Sequence, residues 1–273
     1  MPRLPIYQVD AFTDSLFGGN PAAVCPLDAW LPDATMQAIA AENNLAETAF
    51  FVPEGDDYAL RWFTPKVEVD LCGHATLASG HVIFSFIEPA RQSVSFHTLN
   101  AGTLVVSRHA DLLAMDFPAR PAVAVEPPPG LLAALGGKPR EVLCARDYLI
   151  VYDSAAEVAA LNPDLAALAE VDCWAAIATA PGENGIDFVS RFFAPAQGVA
   201  EDPATGSSHC TLVPYWAKRL GKKELEARQL SRRGGGSPAR SRASVSPSLA
   251  ARCFTSKVGF RSRATNHHPE NDG

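Results

Sequence analysis

Two stretches of this chain echo each other, and the echo limits what it can fold into. Arg61-Trp62-Phe63-Thr64-Pro65 returns about 130 residues later as Arg191-Phe192-Phe193-Ala194-Pro195. Each copy is followed by an acidic residue (Asp70, Asp202), then a glycine (Gly73, Gly206), then a polar side chain (His74, Ser207), then an apolar segment. Coincidence between two Phe- and Ala-rich stretches is the plain alternative. A true repeat predicts two similar domains related by pseudo-two-fold symmetry. Its two Gly-polar turns would face each other, with a ligand between the domains.

Within each half, short strands alternate with helices. Gly73 to Phe86 is apolar almost all round and rich in small residues, the pattern of a buried helix. Thr205 to Leu220 reads as its counterpart. Asp33 is placed to cap a helix carrying Met36, Ile39 and Ala40 inward. Five prolines from Pro118 to Pro129 read as a linker. The expected organisation is therefore an N-terminal domain over 1–117, a Pro-rich linker over 118–130, and a C-terminal domain over 131–236 that looks incomplete. Residues 237–273 form an atypical basic tail.

Size and composition narrow the function. The chain has 273 residues, 47% of them hydrophobic, so two domains can each bury a core. No apolar run approaches the roughly 20 residues of a membrane helix. The first ten residues read as a strand, without a signal-peptide pattern. Six cysteines are scattered with no Cys-x-x-Cys pair, which points to a reduced, cytoplasmic protein rather than a disulfide framework or a zinc site. The net charge of −7 argues against nucleic acid as the main partner.

The tail departs from the rest. From Ser231 onward Lys and Arg far outnumber the two acidic residues, Glu270 and Asp272, and Ser and Arg dominate. Such composition is expected to be disordered, to leave the last strands of the second domain absent, and to expose a sheet edge. A shifted reading frame or an alternative terminus would produce a break of this kind.

Several residues can carry chemistry. Gly73-His74 and Gly206-Ser207 open the two apolar helices, where free N–H groups and the positive dipole end would hold a substrate carboxylate. Ordinary capping is the plain alternative for either turn alone. Glu47 sits at a helix-to-strand junction among Ala46, Ala49, Phe50 and Phe51, surroundings that suit a general acid/base near neutrality; a solvent-facing helix end is its plain reading. Asp202 precedes Pro203 in a stretch that also reads as a capping turn. There is no Gly-x-Gly-x-x-Gly after a strand, no Walker loop, no His-x-x-x-His and no Gly-x-Ser-x-Gly. No cofactor and no metal are expected.

Six ordered motifs then resemble a known family. They are Asp10-Ala11-Phe12-Thr13, Gly19-Asn20-Pro21-Ala22-Ala23-Val24, Asn44-Leu45-Ala46-Glu47-Thr48, Arg61-Trp62-Phe63-Thr64-Pro65, Leu71-Cys72-Gly73-His74-Ala75-Thr76 and Glu201-Asp202-Pro203-Ala204-Thr205-Gly206-Ser207. Together, over about Pro5 to Gly235, they look like PhzF-type proteins of phenazine biosynthesis. The resemblance implies an α+β, diaminopimelate epimerase-like fold, with two pseudo-symmetric domains each wrapping a curved, mostly antiparallel sheet round a central helix. It implies an isomerase that shifts a proton between carbons of a small carboxylate without a cofactor. The type member acts on trans-2,3-dihydro-3-hydroxyanthranilate. By the same resemblance Glu47 is the catalytic acid/base, His74, Asp202 and Ser207 line the pocket, Gly73 and Gly206 open the central helices, and a homodimer is expected. The Leu-Cys-Gly-His and Asp-Pro spellings look closer to family members of unassigned substrate than to the phenazine enzyme.

Two other readings stand beside this one. A racemase or epimerase of the same fold would use two thiols, and Cys72 stands where the first would be. A binding or regulatory member of the family would keep the fold without catalysis.

Overall fold

The structure is a computed structural model that describes residues 3–13, 17–109, 112–231, 239–245, 250–256 and 259–262. The first half contains β1 (Tyr7–Ala11), β2 (Asn20–Pro26), β3 (Glu47–Glu54), β4 (Asp57–Phe63), β5 (Glu68–Val69), β6 (Ser93–His97), β7 (Thr103–His109), β8 (Leu112–Pro118) and β9 (Val123–Ala124). The second contains β10 (Glu141–Cys144), β11 (Tyr148–Val151), β12 (Ala176–Pro181), β13 (Phe188–Ala194), β14 (Val199–Asp202), β15 (Glu224–Gln229), β16 (Ala239–Val245), β17 (Ala250–Ser256) and β18 (Gly259–Ser262).

The pairings repeat with a step of nine strands. In the first half β1–β2, β3–β4, β4–β5, β6–β7 and β7–β8 are antiparallel, while β2–β3 and β4–β6 are parallel. In the second half β10–β11, β12–β13, β13–β14, β15–β16 and β16–β17 are antiparallel, while β11–β12 and β13–β15 are parallel. Every pair keeps its sense, so the repeat read from 61–76 and 191–207 extends through the whole topology.

The halves are stitched together symmetrically. β9 pairs with β10, and β18 pairs with β1, so each half's ninth strand joins the other half's first. The two eighth strands, β8 and β17, pair with each other.

Each half wraps a helix. Gly73–Val82 continues into a π-helical turn, Ile83–Ile87, and is buried along almost its whole length, as its uninterrupted small and apolar sequence requires. His209–Leu220 follows a 3-10 turn at Gly206–Ser208 and buries Cys210, Leu212, Val213 and Trp216. The Trp216 ring stacks on Phe188 at 5.8 Å, and its indole N–H donates to Thr179 Oγ1 at 3.0 Å. That bond satisfies a polar group which burial would otherwise leave costly.

The repeated arginines do the same work in both halves. Arg61 donates to both carboxylate oxygens of Glu68, at 2.7 Å each, and Arg191 grips Glu201 in the same fork, at 2.7 and 3.0 Å. Each fork ties the strand carrying the arginine to the segment that leads into a central helix.

Two expectations are corrected. Within 237–273, read as a disordered tail lacking the last strands, the backbone forms β16, β17 and β18, the counterparts of β7, β8 and β9. The edge of β15 is covered by β16 rather than exposed. Strand formation is decided here by waiting backbone partners on β15, β8 and β1, and local propensity counts for less. The remaining residues of that tail lie outside the described residues. The interval 118–130, read as a linker, also carries the end of β8 and the pairing strand β9. Among the described residues no helix is long and apolar enough to cross a membrane.

Candidate active site

The two helix starts meet on one aromatic ring. A Cβ placed on Gly73 would stand 2.8 Å from Phe117 Cζ, and one on Gly206 would stand 3.3 Å from the same atom and 3.0 Å from Phe12 Cζ. A side chain on Gly73 would clash with that ring, and one on Gly206 would crowd both rings unless they gave way. Both first turns therefore bring N–H groups, unused within their helices, to one place.

The sheet brings the polar groups to the same place. β2 and β3 run parallel with Ala22 opposite Glu47, so Asn20 and Glu47 occupy the same end of adjacent strands. Glu47 reaches that position because the helix Asp33–Asn43 ends at Asn44, whose backbone is left-handed at φ 49°, and the chain turns directly into β3. His74 enters on the first turn of the first central helix, and Asp202 ends β14 just before the second.

These residues form one connected cluster. His74 Nε2 lies 3.1 Å from Glu47 Oε2. That oxygen is buried and has no aligned hydrogen-bond partner among the described residues. Cys72 Sγ lies beside the ring, 3.5 Å from His74 Nδ1 and 4.0 Å from Nε2, and Asn20 Nδ2 lies 3.3 Å from Nδ1. Asn20 Nδ2 donates to Asp202 Oδ1 at 2.6 Å and to the carbonyl of Ala204 at 2.9 Å. Thr205 Oγ1 donates to Asp202 Oδ2 at 2.5 Å, and Gln229 Nε2 donates to the Asp202 carbonyl at 2.7 Å. Gln229 Oε1 in turn accepts from the Thr205 N–H at 2.8 Å, which fixes the turn before Gly206.

The electrostatics follow from burial and proximity. Burial alone would lower the His74 pKa, but the Cys72 sulfur and the Glu47 carboxylate beside it hold it well above 6.5. Burial pushes Asp202 up to about 6, against the opposing pull of His74 and its hydrogen-bond donors. Burial, with Glu47 nearby, raises the Cys72 thiol to about 11. Glu47, Cys72 and His74 place ligand-type atoms within 4.8 Å of one another. A cation held there would displace the thiol and imidazole protons.

Of the residues picked from the sequence, Glu47, His74 and Asp202 are joined through Asn20, and Gly73 and Gly206 frame them. Ser207 is half-buried at the second helix start, outside this chain of hydrogen bonds. Asp70, paired with Asp202 in the repeat, is exposed and accepts from Asn100 Nδ2 at 2.7 Å, so the halves differ at this position. The sequence reading passed over Asn20 and Gln229 as functional residues. Asn20 was legible as an asparagine inside an ordered motif, but Gly-Asn-Pro also spells a turn. Gln229 carries no such signal.

Comparison with known proteins bears on the family and the fold. The family profile described as "Phenazine biosynthesis-like protein" matches residues 9–244. An uncharacterized isomerase of Pseudomonas aeruginosa is 55% identical over 233 residues, covering 85% of this chain and 89% of the relative. A crystal structure from the PhzF family of phenazine biosynthesis proteins, from Enterococcus faecalis, superposes with a TM-score of 0.89 at 42% identity, covering 95% of this chain and 97% of the other. A predicted epimerase of Pseudomonas aeruginosa, at 21% identity and a TM-score of 0.71, covers 95% of this chain and 98% of its own, and shares the fold alone. The architecture is the diaminopimelate epimerase-like fold.

Proposed function

This chain belongs to the phenazine biosynthesis-like PhzC-PhzF family, and from that premise we propose that it is an isomerase. It moves a proton between carbons of a small carboxylate substrate, with Glu47 as general acid/base and without a cofactor. The observation that carries this reading is the Glu47–His74 contact, 3.1 Å across, with the carboxylate oxygen buried and free of an aligned hydrogen bond. A general base needs such an unclaimed oxygen at contact distance from its proton. The related proteins named as isomerases support the reaction class.

The chemistry runs on this chain's own groups. The substrate carboxylate rests on N–H groups of the two helix starts at Gly73 and Gly206. Glu47 takes a proton from one carbon and returns it to another. His74, charged beside Glu47, stabilises the carboxylate in one state and the negative charge developing on the substrate in the next. Asp202 and Ser207 hold polar groups of the substrate from the second half. Closure of the site between two halves holds the reacting carbon at contact distance and lowers the entropic part of the barrier.

The test is deuterium wash-in. The protein is incubated in D2O with trans-2,3-dihydro-3-hydroxyanthranilate and related small acids, and C–H signals are followed by NMR beside a Glu47→Gln variant. Exchange that vanishes in the variant is the expected result. Exchange that persists at full rate in folded Glu47→Gln would remove Glu47 from the role.

A further inference from the structure

Gln229 ends β15 and is buried, and its side-chain amide reaches the turn before the second central helix. Its Oε1 accepts from the Thr205 N–H at 2.8 Å. Its Nε2 donates to the Asp202 carbonyl at 2.7 Å and to Thr205 Oγ1 at 3.1 Å. A flipped amide would set oxygen against a carbonyl and NH2 against an N–H, so the partners fix its orientation. Thr205 Oγ1, having accepted from Gln229, gives its own proton to Asp202 Oδ2 at 2.5 Å. The Thr205 carbonyl accepts from Ser208 Oγ at 2.7 Å and lies 3.2 Å from His209 Nδ1. Every polar group of Thr205 thus has a partner, and Gln229 serves two of them.

The first half starts its helix differently. The repeat that matches Arg61 with Arg191 matches Tyr58 with Phe188, and these pair with Phe96 and Ala227 in equivalent parallel registers. By that register Gln229 corresponds to Thr98. The Thr98 hydroxyl is engaged within its own turn, accepting from the Ala101 N–H at 3.0 Å and donating to the Gly102 carbonyl at 2.8 Å. Asn100 takes the Asp70 carboxylate, but on the exposed surface. The fold can therefore open a central helix without a buried amide at this position, and Gln229 is explained by what it holds.

We propose that Gln229 is a positioning residue: acting through Thr205, it aims the Asp202 carboxylate at Asn20 and the site, and fixes the turn that opens at Gly206. The inference rests on the reading of Asp202 and that turn as substrate-holding groups, and adds what sets them. The ionisable groups facing Asp202 are His74 and Glu47, and Thr205 and Asn20 are its neutral donors. A neutral amide braces this carboxylate without adding a further charge beside it.

The test follows the Asp202 carboxyl carbon by NMR across pH in the full-length protein, without substrate. Thr205→Val deletes the hydroxyl donor and is expected to move the Asp202 midpoint upward by on the order of one pH unit, whereas Thr205→Ser keeps it at the wild-type value. Gln229→Leu is expected to move it in the same direction, and the double variant Gln229→Leu/Thr205→Val no further than Thr205→Val alone. A residue that only stabilised the fold would shift the urea midpoint and leave Asp202 titrating as in the wild type. That result in folded Gln229→Leu would overturn the proposal, and so would an additive shift in the double variant. A wild-type measurement stands beside these should Gln229→Leu not fold. Both side-chain N–H protons of Gln229 are expected to exchange with D2O far more slowly than those of an exposed glutamine, and exchange at the exposed rate would equally overturn it. No readout depends on substrate deuteration, so failure of the Glu47 assignment and failure of this one are told apart.

Discussion

His74 Nε2 lies 3.1 Å from a Glu47 oxygen that has no aligned hydrogen-bond partner of its own. On the proposed function the pair shares one proton, and among the described residues no other group is bonded to that oxygen. On that same reading a single carboxylate acts in both directions of the proton shift, as base on the first carbon and acid on the second.

That sharing predicts a coupling. In Glu47→Gln the carboxylate that helps hold His74 well above its ordinary pKa is gone, while burial still pushes downward. The His74 midpoint, followed by ring-carbon NMR, falls toward or below 6.5. A midpoint that stays where it is in the wild type would mean that Glu47 does not sustain the shift.

Cys72 tests the rival chemistry. Its thiol sits 3.5 Å from His74 Nδ1 but is held protonated, raised to about 11. The second helix start offers Thr205 and Ser207, and Cys210 is buried within the helix beyond. Cys72→Ser is expected to keep deuterium exchange within about tenfold of wild type, where loss of a general acid/base costs about 10²–10⁴-fold. Complete loss of exchange in folded Cys72→Ser would favour a thiol-based racemase.

The glycine pair predicts a packing cost. Gly73→Ala drives a methyl group to within 2.8 Å of Phe117 Cζ, and Gly206→Ala meets both Phe12 and Phe117. Each is expected to destabilise by about 1–3 kcal/mol, the usual range for overpacking. Urea denaturation of each variant measures it. Midpoints equal to wild type would show that the ring moves aside freely.

His209 predicts an acid-sensitive term. Burial pushes its pKa down to about 4, with its contacts to Thr205 and Gly206 opposing only in part. A folded pKa below the unfolded value of about 6.5 means stability present above pH 6.5 and lost as pH falls toward 4. The loss is on the order of 3 kcal/mol across that window. Asp202, raised to about 6, works with the opposite sign, giving stability that fades as pH rises through 6. Comparing wild type with His209→Gln in denaturant titrations from pH 7 to pH 4 isolates the His209 contribution. Parallel pH dependences in the two proteins would contradict it.

Much of this arrangement is legible in the sequence. The buried helix from Gly73 shows as an unbroken apolar run, and the Arg61 and Arg191 motifs locate matching strands because the same fork recurs on Glu68 and Glu201. Glu47 and Asp202 are visible as motif members, but their connection is not. It runs through Asn20, whose neighbours along the chain spell a turn while its bonds cross to residues far beyond, and local pattern carries no record of such contacts. The strands at 239–262 escaped for a related reason. Their Ser- and Arg-rich spelling resists strand assignment, and only the partners on β15, β8 and β1 make them strands.

The exchange of ninth strands sets the order of events during synthesis. β1 leaves the ribosome some 250 residues before its neighbour β18. Until then one side of the first strand is an open template for other chains. Neither half can close its sheet while the other is missing, so the usual rule of the N-terminal domain folding first has no foothold here. Such long-range pairing makes for slow maturation. A cell making this protein must keep the nascent chain from aggregating until its last described strands arrive.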